Sequence, residues 1–521
     1  MFKSLFIISA ILLLATAQPS CRFAKQYTKT QLYTNETARD QFLKDVLYWE
    51  GKFHQDGVGI NYKSGLTYDG HPIDYQTGKI SGDVHIFSAS SKESIHVSIL
   101  AKIVQGDSLA QILISNDSQT ALNTAIELLT NKITSYEKFN AEYPGYGGFL
   151  PWFNVTDQGM DPTPGWYDQV PSLDNGQLLW SIVAVVEVLE SKGFTDLATR
   201  YRNYLDIMTQ YMAMIFYEGE GKIRAVAKIR DNKVTPTPGN YYTQSPCGDP
   251  CYLDDPYEGE LSAFYLALFG GISQAEDNLI WQRKMAKLQA VDYTFDLGTI
   301  TVQRGWWFSA HENWKYLLLP YQDNNIINTL FANGEKARTA DATATHRNPG
   351  MFASINDVCP AGKPIPGYIS PTGIQEIAFE KVLRRDVITG YATFPMFLVN
   401  KAAASVWLHN FLKAPKCQNP YGATEAININ GTMISPLTTW DSKMTTVTAI
   451  LGGVKDITRK VLQDRGVYGN FTDRLQSAWS QVFPDVKPTV LPFFIPIIDV
   501  PTNTLEDFDE CKLDQTEVIS M

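Results

Sequence analysis

Apolar residues recur at helical spacing along most of the chain. Ile95, Ile99 and Ile103 follow at four-residue intervals behind Ser90 and Glu93, which read as a capping box opening a helix. In "SLDNGQLLWSIVAVVEVLESKG", Leu179, Ile182, Val183, Val186 and Leu189 share one face, and Gly193 supplies a stop signal. "DLATRYRNYLDIMTQYMAMIFYE" continues as the next long helix. Leu261, Phe264, Tyr265 and Leu268 repeat the i, i+3, i+4, i+7 pattern, and "TFPMFLVNKAAASVWLHNFLK" and "SKMTTVTAILGG" add further helical runs. Period-two alternation is scarce; "GKIRAVAKIR" at 221–230 reads as a small β-hairpin arm. No internal repeat or low-complexity linker interrupts the pattern. It predicts an all-α chain of paired helices, folded as one domain with its function on long loops at one end.

Those loops are "YPGYGGFLPWF" (143–153), "QRGWWFSAHENWKYLLLPY" (303–321), "HRNPGMFASIND" (346–357), "GYISPTGIQEIA" (367–378) and "SPLTTWDSK" (435–443). They hold aromatic residues among Gly, Pro and polar residues rather than at helical spacing. Trp306, Trp307, Trp314 and Trp440 each lie within a few residues of a carboxylate or histidine. Sugar rings stack their C–H faces on aromatic planes and need polar partners for their hydroxyls, so this mixture suits a carbohydrate cleft. The same tryptophans would also serve as wedges between helices.

Composition narrows the setting. The 521 residues are 44% hydrophobic, enough for a large core, and the net charge of −11 comes with no basic stripe, which argues against a nucleic-acid partner. Lys3, the apolar run from Phe6 to Leu14 and the Ala15-Thr16-Ala17 site read as a signal peptide over 1–17, leaving a mature chain from Gln18. No later stretch is apolar enough to span a membrane, so a secreted protein is expected. Sequons at Asn35, Asn116, Asn154, Asn430 and Asn470 agree with that route. The six cysteines, an even number, are expected to form disulfides; Cys247 and Cys251 are spaced to close a small loop.

Hydrolysis of a glycosidic bond needs one protonated carboxyl group and one ionised one. Candidates beside helix starts or loops are Asp174, Asp254, Asp255, Glu258, Glu260, Glu312, Asp357, Glu376 and Asp441. Asp174 fits an N-cap, and Glu260 would sit in a first helical turn where the dipole favours an acid. Glu258 stands between Tyr257, which can desolvate it, and Gly259, which lets backbone approach a ligand. Asp441 is both a possible cap and a possible base. His311 and Glu312, in "HEN", can bind sugar hydroxyls or serve the core. There is no G-x-S-x-G elbow, no histidine pair at metal-ligand spacing and no phosphate-binding glycine loop, so neither a metal nor another cofactor is expected.

In order along the chain, "VPSLDNGQLLWS", "PYEGELSAFYLALFG", "RGWWFSAHENWKYLLLPY", "HRNPGMFASIND", "GYISPTGIQEIA" and "TTWDSK" resemble the endo-β-1,2-glucanases of glycoside hydrolase family 162, and more distantly family 144. The resemblance covers roughly residues 40–485, before an irregular C-terminal tail. It implies an (α/α)6 barrel with a cleft at one end, and inverting hydrolysis of internal β-1,2-glucosidic bonds without a metal. Glu258 in "YEGE" matches the general acid, with Glu260 as the competing position, and Asp441 in "TTWD" matches the general base. Proton transfer through a substrate hydroxyl and waters is implied too, which would set the carboxylates farther apart than the usual inverting separation of about 6.5–9.5 Å. Asp174, Tyr257, Glu260, Trp306, Trp307, His311, Glu312, Tyr368, Gln375, Glu376 and Trp440 are expected to line sugar subsites. The partner is then a β-glucan and the protein a monomer. Two rivals remain: a transglycosylase or hydrolase for another β-glucan on the same fold, and a non-catalytic secreted carbohydrate-binding protein.

Overall fold

The computed structural model describes residues 20–246, 251–381 and 384–512; residues 1–17, expected to be a signal peptide, and Cys247 lie outside them. Helix Ser90–Gln105 packs along Ser172–Ser191, which packs in turn on Glu260–Phe269. On its other side Ser90–Gln105 meets Trp440–Ile450, which meets the short helix Phe394–Phe397. Each of these five carries a partner: Ser118–Glu142, Thr195–Phe216, Gln274–Lys287, Glu36–Glu50 and Lys401–Leu412 pack on them respectively.

Composition decides which helices are central. Ser172–Ser191 is apolar or small almost all round and is buried on nearly every side, as such a helix must be. Its small residues permit close approach: Ser181 Oγ lies 3.0 Å from Ser98 Oγ of one neighbour. A Cβ on Gly176 would fall 2.3 Å from Ser262 Oγ of the other, so glycine is required at that contact. Thr195–Phe216 instead buries one stripe, including Leu197, Tyr201, Leu205, Met208 and Met212, against the inner layer.

The all-α expectation needs correction. Antiparallel sheets, none of more than three strands among the described residues, connect the helices. Residues 221–230 do not form a hairpin arm of their own. Lys222–Ile223 pairs with Tyr217–Gly219, whereas Val226–Ile229 pairs with Gln169–Pro171 and Tyr241–Tyr242. The alternation is real, but the neighbouring strands come from elsewhere. A longer hairpin, Ala290–Phe295 with Gly298–Gln303, buries Tyr293, Ile300 and Val302 in a satellite core with Ala337. The run 393–413 is also two helices, because the Asn400 side chain caps the second at Ala403 N.

The Ser90/Glu93 capping box is absent: Ala89 occupies the cap position and Glu93 turns into the core. There it accepts hydrogen bonds from Thr67 N (2.9 Å), Thr67 Oγ1 (2.8 Å) and Tyr136 Oη (2.7 Å), and pairs with Lys132. Both charged side chains are fully buried, so removing one leaves the other uncompensated in a low-dielectric core. Lys132→Met is expected to cost about 3–5 kcal/mol in chemical denaturation.

A disulfide, Cys21–Cys511, ties the two ends of the described chain together. The C-terminal tail wraps back onto helix Lys401–Leu412, where Trp407 Nε1 and Asn410 Nδ2 donate to Phe494 O and Ile498 O. Complete cysteine pairing is not found, since Cys359 and Cys417 are buried free thiols. Cys251 is disulfide-bonded, while the pairing with Cys247 falls outside the described residues.

Candidate active site

Four of the central helices begin at one cleft of about 600 Å³. Helix Ser90–Gln105 supplies Ser91 and Lys92, Ser172–Ser191 supplies Asp174 and Gln177, and Trp440–Ile450 supplies Asp441 and Ser442; Glu258 stands just before Glu260–Phe269. Helix starts present free N–H groups and the positive end of the dipole, so carboxylates gather there. Each of the five aromatic loops reaches the same cleft, through Trp152, His311 and Trp314, Ser354 and Asn356, Tyr368, and Thr439.

Glu258 is half-buried, and Gln177 Nε2 donates to its Oε2 at 3.2 Å. Burial pushes its carboxyl well above the usual carboxylate range, and Asp255, Asp174 and Glu312 push the same way. That direction favours the protonated carboxyl, the form a general acid needs. Asp441 has a different environment: its Oδ2 lies 2.5 Å from the Lys92 ammonium. Lys92 also stands 2.9 Å from Asp69 Oδ1, and Asp69 Oδ2 is 2.6 Å from His85 Nδ1. Burial would raise Asp69, but Lys92 and His85 outweigh it and bring its carboxyl down to about 2.

An aromatic wall borders these groups. The His85 ring stacks on Phe87 at 5.7 Å, Phe87 meets Trp152 edge-on at 5.5 Å, and Trp152 stacks on Trp166 at 4.4 Å. Tyr368 stands at the rim, 66% exposed. His311 Nδ1 is shared by Ser309 Oγ and Ser354 Oγ at 2.6 and 3.2 Å, and burial lowers the imidazole to about 4, so it is neutral. Exposed aromatic faces next to fixed polar groups are what a sugar chain requires.

Of the residues expected from the sequence, Glu258, Asp441, Asp174, His311 and Tyr368 come together in this cleft. Asp174 is not an N-cap; it is the third residue of its helix and accepts from Trp152 Nε1 at 3.0 Å. The others are placed elsewhere. Trp440 is fully buried between His54, His96 and Phe53. Glu260 opens its helix in the core, 3.0 Å from Lys315 Nζ. Glu312 accepts from the backbone N–H groups of Trp306, Trp307 and Ser309 at 2.9, 2.8 and 3.2 Å, so it shapes its own loop. Trp306 and Trp307 pack edge-on against each other, outside the cleft lining. Gln375 Nε2 donates to Glu380 O, and Glu376 is exposed away from the cleft.

The local reasoning at 257–259 also changes. Tyr257 Oη donates to Arg304 O at 2.5 Å and lines a neighbouring narrow cavity, not the cleft. A Cβ on Gly259 would fall 2.8 Å from Asp255 Oδ1, so a larger residue there would push the Asp255 side chain aside. Asp254 and Asp255 shape the loop, the first through a bidentate pair with Arg283 at 2.6 and 2.9 Å. Sequence reasoning missed Asp69, His85, Phe87, Lys92 and Glu425. Gln177 stood in the quoted "SLDNGQ" and Trp152 in a flagged loop, but the first five carry no local signal.

With this geometry in view, the comparisons are decisive. The family model described as endo-beta-1,2-glucanase SGL matches residues 66–512. The chain belongs to the endo-β-1,2-glucanases of glycoside hydrolase family 162. It is 42% identical to the endo-β-1,2-glucanase from Talaromyces funiculosus solved with sophorose, covering 95% of this chain and 100% of that one at a TM-score of 0.91. A Glu-to-Gln variant of that enzyme, solved with β-1,2-glucan, matches with the same identity, coverage and TM-score. The endo-β-1,2-glucanase from Chitinophaga pinensis shares the fold at 11% identity and a TM-score of 0.54, over 84% of this chain and 97% of that one. No curated protein matches the chain by sequence.

Proposed function

We propose that this glucanase cleaves internal β-1,2-glucosidic bonds with inversion, with Glu258 as general acid and Asp441 as general base. The observation that carries the assignment is the divergence of the two environments. Glu258 is pressed by burial and by three acids towards its protonated form, whereas Asp441 touches an ammonium ion. Two carboxyl groups whose surroundings push them apart are the signature of an acid–base pair. Glu258 donates its proton to the departing glycosidic oxygen. Asp441 takes a proton in the step that brings water to the anomeric carbon, directly or through a substrate hydroxyl. Glu260 does not compete as the acid on this reading, because its carboxylate is committed to Lys315 in the core.

The sequence of helix contacts supports an (α/α)6 barrel, with the cleft at the end where the central helices begin. One catalytic domain over 18–521, secreted after removal of 1–17 and active as a monomer, fits the disulfide and the exposed sequons at Asn35, Asn116, Asn430 and Asn470. Wild-type enzyme should convert linear β-1,2-glucan into a spread of short oligosaccharides from the first minutes, and leave β-1,3- and β-1,4-glucans intact. Chromatography of timed digests checks this. Release of a single small product from chain ends would contradict endo action, and products without new reducing ends would favour the transglycosylase.

A further inference from the structure

The cleft is crowded with carboxyl groups: Asp69, Asp174, Glu258, Glu425 and Asp441 all line it. Among the described residues of the lining, Lys92 is the one lysine or arginine. Its side chain is 5% exposed and bridges Asp441 Oδ2 and Asp69 Oδ1. The two oxygens of Asp441 are thus unequal. Oδ2 is held by the ammonium, whereas Oδ1 has no hydrogen-bond partner among the described residues. Oδ1 is itself buried, so the ammonium contact at Oδ2 is what fixes the direction of this partly exposed carboxylate.

Lys92 apart, the groups around Asp441 are mainly acidic. Asp174 faces it from helix Ser172–Ser191, and Tyr368 and Tyr391 from the loops opposite. Glu425 is hydrogen-bonded to Ser442 Oγ at 2.7 Å and to Thr439 Oγ1, on either side of Asp441. Asp69 adds a further carboxylate, partly offset by His85. Without the ammonium, the neighbouring acids would repel the Asp441 carboxylate from its place.

We propose that Lys92 is a positioning residue for hydrolysis: it fixes the Asp441 carboxylate by one oxygen, with Asp69, itself held by His85, anchoring the ammonium from the far side. This rests on Asp441 being the base. The test is the separate effect on kcat and on KM for β-1,2-glucan in wild type, Lys92→Met, Lys92→Arg and Asp69→Asn, with Asp441→Asn beside them. Lys92→Met should lower kcat about 10²-fold by misplacing the base, with a much smaller change in KM. Lys92→Arg should recover most of the wild-type kcat, because a guanidinium can hold the same carboxylate oxygen. Asp69→Asn should lower kcat by a smaller factor at unchanged KM, because the ammonium loses its second anchor.

A folded Lys92→Met enzyme with the wild-type kcat, or a slow one that Lys92→Arg does not rescue, overturns the inference. If Lys92→Met does not fold, Asp69→Asn decides: a wild-type kcat overturns it, and a lowered kcat at unchanged KM supports it. Full activity in Asp441→Asn would remove the base assignment and this inference together. An inactive Asp441→Asn beside a fully active Lys92→Met removes the inference alone.

Discussion

Glu258→Gln should lower turnover of β-1,2-glucan by about 10²–10⁴-fold while leaving the polysaccharide bound. The amide keeps the size of the side chain and a partner for Gln177, so the cleft is preserved. What disappears is the proton for the leaving oxygen. The loss should therefore depend on the leaving group. A β-glucoside with an acidic phenol as leaving group needs little protonation and should be hydrolysed far closer to the wild-type rate. The pH profile should change with it. In wild type, activity falls as pH rises through the elevated pKa of Glu258, because the acid is then deprotonated. In the variant that alkaline limb should vanish. A variant equally slow on both substrates, with its alkaline limb intact, would show that Glu258 is not the acid.

Asp441→Asn should be as damaging on glucan, by about 10²–10⁴-fold, but with no rescue by the activated leaving group. Water must be activated whatever departs, so both substrates should suffer alike. Glucan binding should persist, since Asp441 is one polar contact beside the wall of His85, Phe87 and Trp152. Kinetics on the two substrates together with a binding isotherm check all three points. Loss of binding with unchanged turnover at saturation would make Asp441 a sugar ligand only.

Much of this architecture is legible in the sequence because burial imposes periodicity. Ile95, Ile99 and Ile103 mark the inward face of a helix, and the structure buries all three completely. The five aromatic loops announce themselves by composition, and all five reach the cleft. What sequence does not give is the direction in which a polar side chain turns. Glu93 looks like a helix cap and is instead the centre of a buried network with Lys132 and Tyr136. Trp440 stands beside the base in sequence, yet successive helical side chains point about 100° apart, so its indole enters the core while Asp441 faces the cleft. Glu312 sits in the most aromatic loop, and its oxygens are taken by that loop's own N–H groups.

Lys92 shows the limit most clearly. It stands three residues before Ile95 on a helix read for its apolar face, and meets Asp441 349 positions later. Nothing local distinguishes it from a solvated lysine. Only the folding of the two helices against each other turns it into the counter-ion of Asp441.

The most direct measurement is the anomeric configuration of the first reducing ends released from β-1,2-glucan, followed by optical rotation or NMR before mutarotation. The paired roles of Glu258 and Asp441 in a single displacement by water predict α-anomers. Initial β-anomers would mean retention, hence a covalent glycosyl-enzyme with one carboxylate as nucleophile, and would contradict the assignment of Asp441 as a base.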